Sequence, residues 1–465
     1  MSLSPSSLRI AVVGSGPAGF YAAESLQKSA PGIRIDMFDR LPTPFGLVRG
    51  GVAPDHPKIK SVARVFERIA SQPGFRFFGN VNVGQDVTAE ELRHHYDAVI
   101  YAYGAATDRH LGIPGEHLAG SHPATELVAW YNGHPDYAEV RFDLTQRAAA
   151  VVGIGNVAMD AVRILATAPD ELATTDLAQH ALEALRDASL TELHILARRG
   201  PVQAACTTPE LRELGELDGV DVIVDPKDLE LDPVSAAHLA NEEDRTAHNN
   251  LAILRGWAER GSTGAPRRIV FHFCVSPTEL LGEHRVSAIR LVRNRLVPDD
   301  HGSVQAVATD ETKDLPVGLV FRSVGYRGTA LPGLPFDARR GVIPNVTGRV
   351  VEGIDSATPV RGVYVAGWIK RGPQGVIGTN KSCAAETVDH LLADAVSGRL
   401  RAATGTSEEF DALVATRGID VTTWSDWQAL DRAEIERGKP AGRPREKIVD
   451  VAEMLSVVRD VRGEK

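Results

Sequence analysis

Leu8-Arg9-Ile10-Ala11-Val12-Val13-Gly14-Ser15-Gly16-Pro17-Ala18-Gly19-Phe20-Tyr21-Ala22-Ala23-Glu24-Ser25-Leu26 passes from an apolar run of strand length, through a glycine-rich turn, into a helical pattern. That is the opening of a βαβ unit. In Gly14-x-Gly16-x-x-Gly19 the glycines let the backbone turn tightly, approach a pyrophosphate closely and pack helix against strand. The N-terminus of the helix then offers free N–H groups and partial positive charge to the phosphates. The next strand, Ile33-Arg34-Ile35-Asp36-Met37-Phe38, ends at Asp39, a carboxylate able to accept hydrogen bonds from an adenosine ribose. A turn that serves packing only is the competing reading, and its place between strand, helix and Asp39 weighs against it.

Working outward, Ile59, Val62, Phe66 and Ile69 recur at helical spacing, and Thr88 with Glu91 has the form of a capping box. Tyr96 to Ala102 reads as a further buried strand. A second strand, turn and helix follow, through Ala148-Ala149-Ala150-Val151-Val152, Gly153-Ile154-Gly155-Asn156-Val157-Ala158 and Met159 to Leu165. Strand patterns at Glu192–Ala197, Arg268–Phe273, Val286–Val297 and Gly318–Val324 extend it, around a polar helical region at Ala236–Arg260. Gly362 to Gly367 forms one more buried strand, ahead of a glycine-punctuated loop and a long helix through Leu391. The fold class expected is α/β, with two Rossmann-like domains on parallel central sheets. The second domain, 109–330, is expected as an insertion in the first, 1–108 and 331–465. A helical tail beyond Gly398 carries Trp424 and Trp427, for which packing is the expected role.

In the second turn, Gly153-x-Gly155-x-x-Ala158, alanine takes the third position. The strand after it ends in Ala197-Arg198-Arg199-Gly200, without an acid. A carboxylate there would accept the 2′-hydroxyl of NAD, whereas two guanidinium groups suit the 2′-phosphate of NADP. The second site therefore reads as NADP(H). Two nucleotide folds in one chain call for two dinucleotides, and a hydride relay between nicotinamide and flavin accounts for both, which assigns FAD to the first site.

Composition closes off other classes. The 465 residues exceed one ordinary domain, and 43% apolar with 24% charged residues is typical of soluble globular proteins. Only three cysteines occur, Cys206, Cys274 and Cys383, far apart and without a Cys-x-x-Cys pair. Such a chain lacks the ligands for its own cysteine-held iron–sulfur cluster and lacks a dithiol relay. No metal-ligating cluster is expected. The net charge of −10 argues against general nucleic-acid binding. No apolar run reaches bilayer-spanning length and the Met1-Ser2-Leu3-Ser4-Pro5 lead is polar, so a cytoplasmic location is expected.

Leu41-Pro42-Thr43-Pro44-Phe45-Gly46-Leu47-Val48-Arg49, Pro54-Asp55-His56-Pro57-Lys58-Ile59-Lys60, and Gly367-Trp368-Ile369-Lys370-Arg371-Gly372-Pro373-Gln374-Gly375-Val376-Ile377-Gly378-Thr379-Asn380 add a more specific signal. Together with Gly155-Asn156-Val157-Ala158 and Arg198-Arg199-Gly200-Pro201, they resemble the adrenodoxin-reductase type of ferredoxin–NADP reductase, particularly its bacterial NADPH–ferredoxin reductases. The resemblance runs from the first strand to about Leu391 and more weakly into the tail. It implies FAD, NADPH and an acceptor ferredoxin, a small acidic iron–sulfur protein of the kind that can serve haem-thiolate monooxygenases.

Carried over by position, the resemblance implies FAD contacts at Ala18, Asp39, Leu47, Val83, Trp368, Gly375, Val376 and Ile377, beside Gly14, Gly16 and Gly19. It implies NADP contacts at Arg109, Gly155, Asn156, Val157, Ala158, Arg198, Arg199, Glu210 and Gly375. His56 and Glu213 resemble the polar pair that the family places by the flavin and nicotinamide rings, where orientation and proton supply are the expected roles. The residues by themselves leave His56 open between that role and a turn histidine capping the next helix. Related two-nucleotide flavoproteins often carry Gly-Asp where this chain has Gly367-Trp368, so a carboxylate contact to FAD is expected to be missing, with a helix start at Gly375 as the offsetting feature.

A flavin monooxygenase also uses two nucleotide folds, but no residues here point to its dry substrate pocket. A flavoprotein that binds NADPH only as a signal is the third reading. Arg245, Arg255, Arg267, Arg268, Lys370 and Arg371 are candidate cations for docking ferredoxin. A monomer is the default expectation for assembly.

Overall fold

The computed structural model describes residues 3–240, 244–299 and 304–463. Met1 and Ser2 of the polar lead, and residues 241–243 of the expected helical region, lie outside the described residues. The chain divides into two compact units: Met1–Val52, His56–Thr107 and Gly325–Lys465 in the first, Ala53–Asp55 and Asp108–Val324 in the second. The tripeptide Ala53–Asp55, which the sequence places inside the first domain, thus groups with the second unit.

The first unit is built on a seven-stranded sheet in the order Asn345–Val346, Arg349–Val351, Pro359–Val365, Ala98–Tyr101, Arg9–Val13, Arg34–Phe38, Phe75–Phe78. The last five strands of that order run parallel, and the first two form an antiparallel edge. Arg9–Val13 is central and covered on both faces: Ile10 and Val12 join one apolar cluster with Phe20 and Phe66, Ala11 and Val13 another with Phe78 and Phe410. Covering both faces explains why these strands read as continuous apolar runs. Helices Pro17–Ser29 and Thr379–Val396 pack together on one face. Thr88 and Glu91 form the expected capping box.

The helical pattern Ile59 to Ile69 is interrupted. It forms a single turn, Pro57–Lys60, and then a helix, Ala63–Ala70, with Phe66 and Ile69 buried but Ile59 exposed. The tail folds as helices Ser407–Thr416, Trp424–Gly438 and Val451–Arg462. Trp427 is buried, 5.6 Å centroid to centroid from Phe45, and Trp424 meets Phe20 edge-on at 6.4 Å. The tail therefore completes the first unit's core, and both tryptophans pack.

The second unit has an all-parallel six-stranded sheet in the order Ser121–Pro123, Leu319–Arg322, Ala148–Val152, Glu192–Leu196, Arg267–His272, Val220–Val224. Helix Asn156–Ala166 follows its central strand. A three-stranded antiparallel sheet, Val275–Leu281, Ala288–Pro298 and Val304–Pro316, lies over one face, where Leu280, Ile289, Leu291 and Leu315 pack against Ala150, Val152, Leu196 and Val320. The sequence anticipates only the middle strand of the three. Val304–Pro316 is almost wholly exposed, and its middle, 309–314, is polar throughout, so no apolar alternation runs along it to mark it.

Candidate functional sites

Both glycine turns stand at the carboxyl ends of central parallel strands, the location favoured for ligands in open α/β sheets. Gly14 has φ +107°, and a Cβ there would fall 2.6 Å from the Ala102 carbonyl oxygen. At Gly19 a Cβ would fall 2.0 Å from the Gly14 carbonyl oxygen, so helix and turn pack backbone to backbone. Gly16 is different: its nearest neighbour across that position is the Gly46 Cα at 3.9 Å, which leaves an open approach. Gly16 caps helix Pro17–Ser29 without a side-chain hydrogen bond, so the first N–H groups have no side-chain cap. This is the shape that a pyrophosphate requires.

Asp39 is already engaged here. Its Oδ2 accepts from the Ser15 N–H at 3.1 Å and the Ser15 hydroxyl at 2.5 Å, and its Oδ1 from the Leu41 N–H at 3.0 Å. Burial raises its pKa against those stabilising bonds. Ser15, which sequence reasoning passed over as the variable position of the motif, thus ties the turn to the second strand.

Gly367 borders this turn, for a Cβ on it would lie 2.5 Å from that of Ala18. Among the described residues the indole Nε1 of Trp368 is buried without a hydrogen-bond partner, a cost that a bound acceptor would remove. Leu47 is 37% and Val376 60% exposed. Ile377 packs at the edge of the core, and Val83 is buried inside it. The helix expected to start at Gly375 begins instead at Thr379, with Gly378 as its cap; Gly375 (φ +80°) lies in the preceding turn, whose Val376 N–H donates to the Thr379 hydroxyl.

Two proposed docking cations are engaged within their own segment of the chain. Lys370 is buried and donates to Glu386 at 2.5 Å and to Thr387 at 3.0 Å. Arg371 braces its own loop through the Gln374 carbonyl and Asn380 at 2.8 and 3.0 Å. A third, Arg268, is ion-paired with Glu192 at 2.7 Å.

The second turn repeats the design. Gly153 has φ +129°, with the Ser323 carbonyl oxygen 2.2 Å from where a Cβ would stand, whereas at Gly155 a Cβ would meet nothing within 4 Å. Ala158 is fully buried, filling the third position. Asn156 accepts the Thr207 N–H at 2.8 Å, and the Thr207 hydroxyl donates to Glu210, which brings Glu210 to this turn. Arg198 and Arg199 follow strand Glu192–Leu196, their carbonyls held by Asn294 and the Cys274 N–H at 2.9 and 3.1 Å. Among the described residues neither guanidinium has an ion-pair partner. Burial and the charge of Arg198 lower the pKa of Arg199. Arg109 is exposed near the start of the second unit.

His56 occupies the cap position of Pro57–Lys60 without a side-chain capping bond, its carbonyl accepting the Ile59 N–H at 3.1 Å. Glu213, near the end of helix Thr208–Leu214, is ion-paired with Arg163 at 3.1 Å. Sequence reasoning missed Arg163. A cation between the buried Val162 and Ile164 of an apolar helix was the signal for it. Among the described residues no group of three or more His, Cys, Asp or Glu could hold a metal. Burial pushes the Cys206 and Cys274 thiols up to about 11, far from reactive thiolates. No helix of the described residues is long and apolar enough to cross a membrane.

Comparison with known proteins agrees with this geometry. The family described as pyridine nucleotide-disulphide oxidoreductase matches residues 8–200. The NADPH-ferredoxin reductase FprA of Mycobacterium tuberculosis is 50% identical over 458 residues, covering 96% of this chain and 98% of that protein. The mitochondrial NADPH:adrenodoxin oxidoreductase of Salvelinus fontinalis is 42% identical over 467 residues, covering 98% and 92%. A solved structure of M. tuberculosis FprA in complex with NADPH superposes with a TM-score of 0.91 at 48% identity, over 97% of this chain and 99% of that one. With this similarity over nearly its whole length, the chain belongs to the family of NADPH-ferredoxin and adrenodoxin reductases.

Proposed function

We propose that this chain is an FAD-dependent NADPH–ferredoxin reductase, acting as a monomer in the cytoplasm. The observation that carries the reading is the pairing of two open glycine cradles, at Gly16 and Gly155, with an Arg198-Arg199 pair beside the second that has no ion-pair partner among the described residues. FAD, when bound, supplies the chemistry that accepts two electrons as hydride and releases them singly. The protein's part is binding and orientation. The turn Gly14–Gly19, Asp39, Leu47, Trp368 and the Gly375–Ile377 loop would hold FAD, with Trp368 donating its free N–H. Gly155–Ala158 would cradle the NADPH pyrophosphate, Glu210 would stand beside it, and Arg198 and Arg199, with Arg109, would take the phosphates. His56 and Glu213 would orient the reacting rings and carry protons.

Docking an acidic ferredoxin falls to Arg245, Arg255 and Arg267, which have no ion-pair partner among the described residues. The test is anaerobic mixing of the purified protein with NADPH and a small acidic ferredoxin, beside an assay of substrate-dependent oxygen uptake. Rapid ferredoxin reduction supports the proposal. Coupled product oxygenation would make the chain a monooxygenase, and neither activity would leave an NADPH-binding flavoprotein without turnover.

A further inference from the structure

We infer that Arg163 is a positioning residue that sets both Glu213 and the backbone leading into His56. The inference rests on the reading of those two residues given above. The Arg163 side chain is 3% exposed, and three carboxylates surround it. Its Nε and Nη2 donate to the two oxygens of Asp55 at 2.7 and 2.9 Å, a bidentate fork. Nη2 also stands 2.8 Å from Asp160 and Nη1 3.1 Å from Glu213. Burial would lower the pKa of this guanidinium, and Asp55, Asp160 and Glu213 more than reverse that, so it stays charged.

Asp55 is the residue before His56, and its tripeptide Ala53–Asp55 groups with the unit that holds Arg163 although its neighbours Val52 and His56 do not. The fork is thus the tether of that tripeptide. Helix Asn156–Ala166 begins at the candidate nucleotide cradle and carries Arg163 about two turns further on, so one rigid element aligns cradle and clamp. Stability gives little reason to keep such a cluster, since well-packed apolar residues often do as well in place of buried ion pairs. Geometry gives a reason. Arginine holds Asp55 through two parallel bonds while a third nitrogen faces Glu213, and a lysine ammonium, a point charge, could not do both.

The test compares wild type, Arg163→Gln, Arg163→Lys and Asp55→Asn as FAD-loaded protein. Two readouts are used: hydrogen exchange of peptides covering 53–59 and 208–214, and the rate of flavin reduction on rapid mixing with NADPH. In Arg163→Gln, exchange in both peptides should rise at least about tenfold while that of strand Arg9–Val13 is unchanged. The limiting reduction rate should fall at least about tenfold with NADPH affinity within about threefold of wild type, the split expected of lost orientation rather than lost binding. Arg163→Lys should fall between the two. Asp55→Asn cuts only the His56 side, should raise exchange at 53–59 alone, and serves if Arg163→Gln does not fold. Unchanged exchange, or a limiting rate within about twofold of wild type in a folded variant, would overturn the inference. A wild type that NADPH does not reduce would overturn the functional reading and this inference together, whereas normal wild-type reduction with unaffected variants overturns this inference only.

Discussion

Replacing Arg198 and Arg199 with alanine isolates the choice of coenzyme. Both guanidiniums follow strand Glu192–Leu196 without an ion-pair partner among the described residues, so removing them leaves no protein carboxylate stranded. The loss then measures the missing ligand contact. A hydrogen bond to a charged group contributes about 1.5–3 kcal/mol, and each 1.4 kcal/mol is about tenfold in affinity. Arg199 is half-buried and should realise most of that, about ten- to a hundredfold in NADPH affinity for Arg199→Ala. Arg198 is exposed, so solvent screening should limit Arg198→Ala to about three- to tenfold. Its removal also relieves the repulsion that lowers the Arg199 pKa, so the double variant should lose less than the product of the single ones. The assay is steady-state flavin reduction with NADPH and NADH at two ionic strengths. NADH, lacking the 2′-phosphate, should keep its KM, and raised salt should weaken the wild-type preference for NADPH. Parallel losses with both coenzymes would refute the assignment, as would a wild-type preference for NADH.

Gly155→Val adds a side chain where a Cβ meets nothing within 4 Å, so the fold should melt at its normal temperature while NADPH binding, followed by calorimetry, is lost. Binding that survived would move the pyrophosphate elsewhere. Glu434 is 1% exposed, ion-paired with Arg49 at 2.5 Å and Arg445 at 3.3 Å, and accepts the Ile448 N–H at 3.0 Å. Glu434→Ala takes the carboxylate partner from Arg49, while Arg445 keeps Asp431, and should cost about 3–5 kcal/mol in urea unfolding, and a loss below about 1 kcal/mol would show the cluster to be solvated. Burial opposes ionisation of Glu434 but Arg49 and Arg445 prevail, so its pKa is lowered and its stabilisation, present above the unfolded carboxyl pKa, fades as pH falls through the folded one. His194, 3.0 Å from His272, is pulled down to about 4 by burial and by the charge of His272. The unfolded chain therefore binds the extra proton between its ordinary value of 6.5 and about 4, and stability should decline as pH falls through that window. His194→Gln should flatten the slope of unfolding free energy against pH there, and an unchanged slope would assign it to other groups.

Much of the architecture was legible before any coordinates, because it rests on local rules. The turns at Gly14–Gly19 and Gly153–Ala158 demand residues without a Cβ where one would strike backbone at 2.6 and 2.2 Å, and strands covered on both faces must be apolar throughout. The place of Arg198 and Arg199 after the strand that follows the second glycine turn is likewise a matter of counting along the chain. What the tertiary structure decided are contacts between residues far apart in sequence. Asp55 and Arg163 meet across 108 positions, a distance over which no periodicity operates. The capture of Asp39 by Ser15 and the burial of Lys370 against Glu386 depend on which loops the sheet brings side by side. The start of the long helix at Thr379 rather than Gly375 turns on a hydroxyl that accepts one N–H, and the exposed strand Val304–Pro316 on a neighbour that supplies its hydrogen bonds. Backbone constraints and burial are written into neighbouring residues; partner choice for charged side chains is settled only when the whole chain has folded, because the low-dielectric interior enforces pairings that the sequence leaves open.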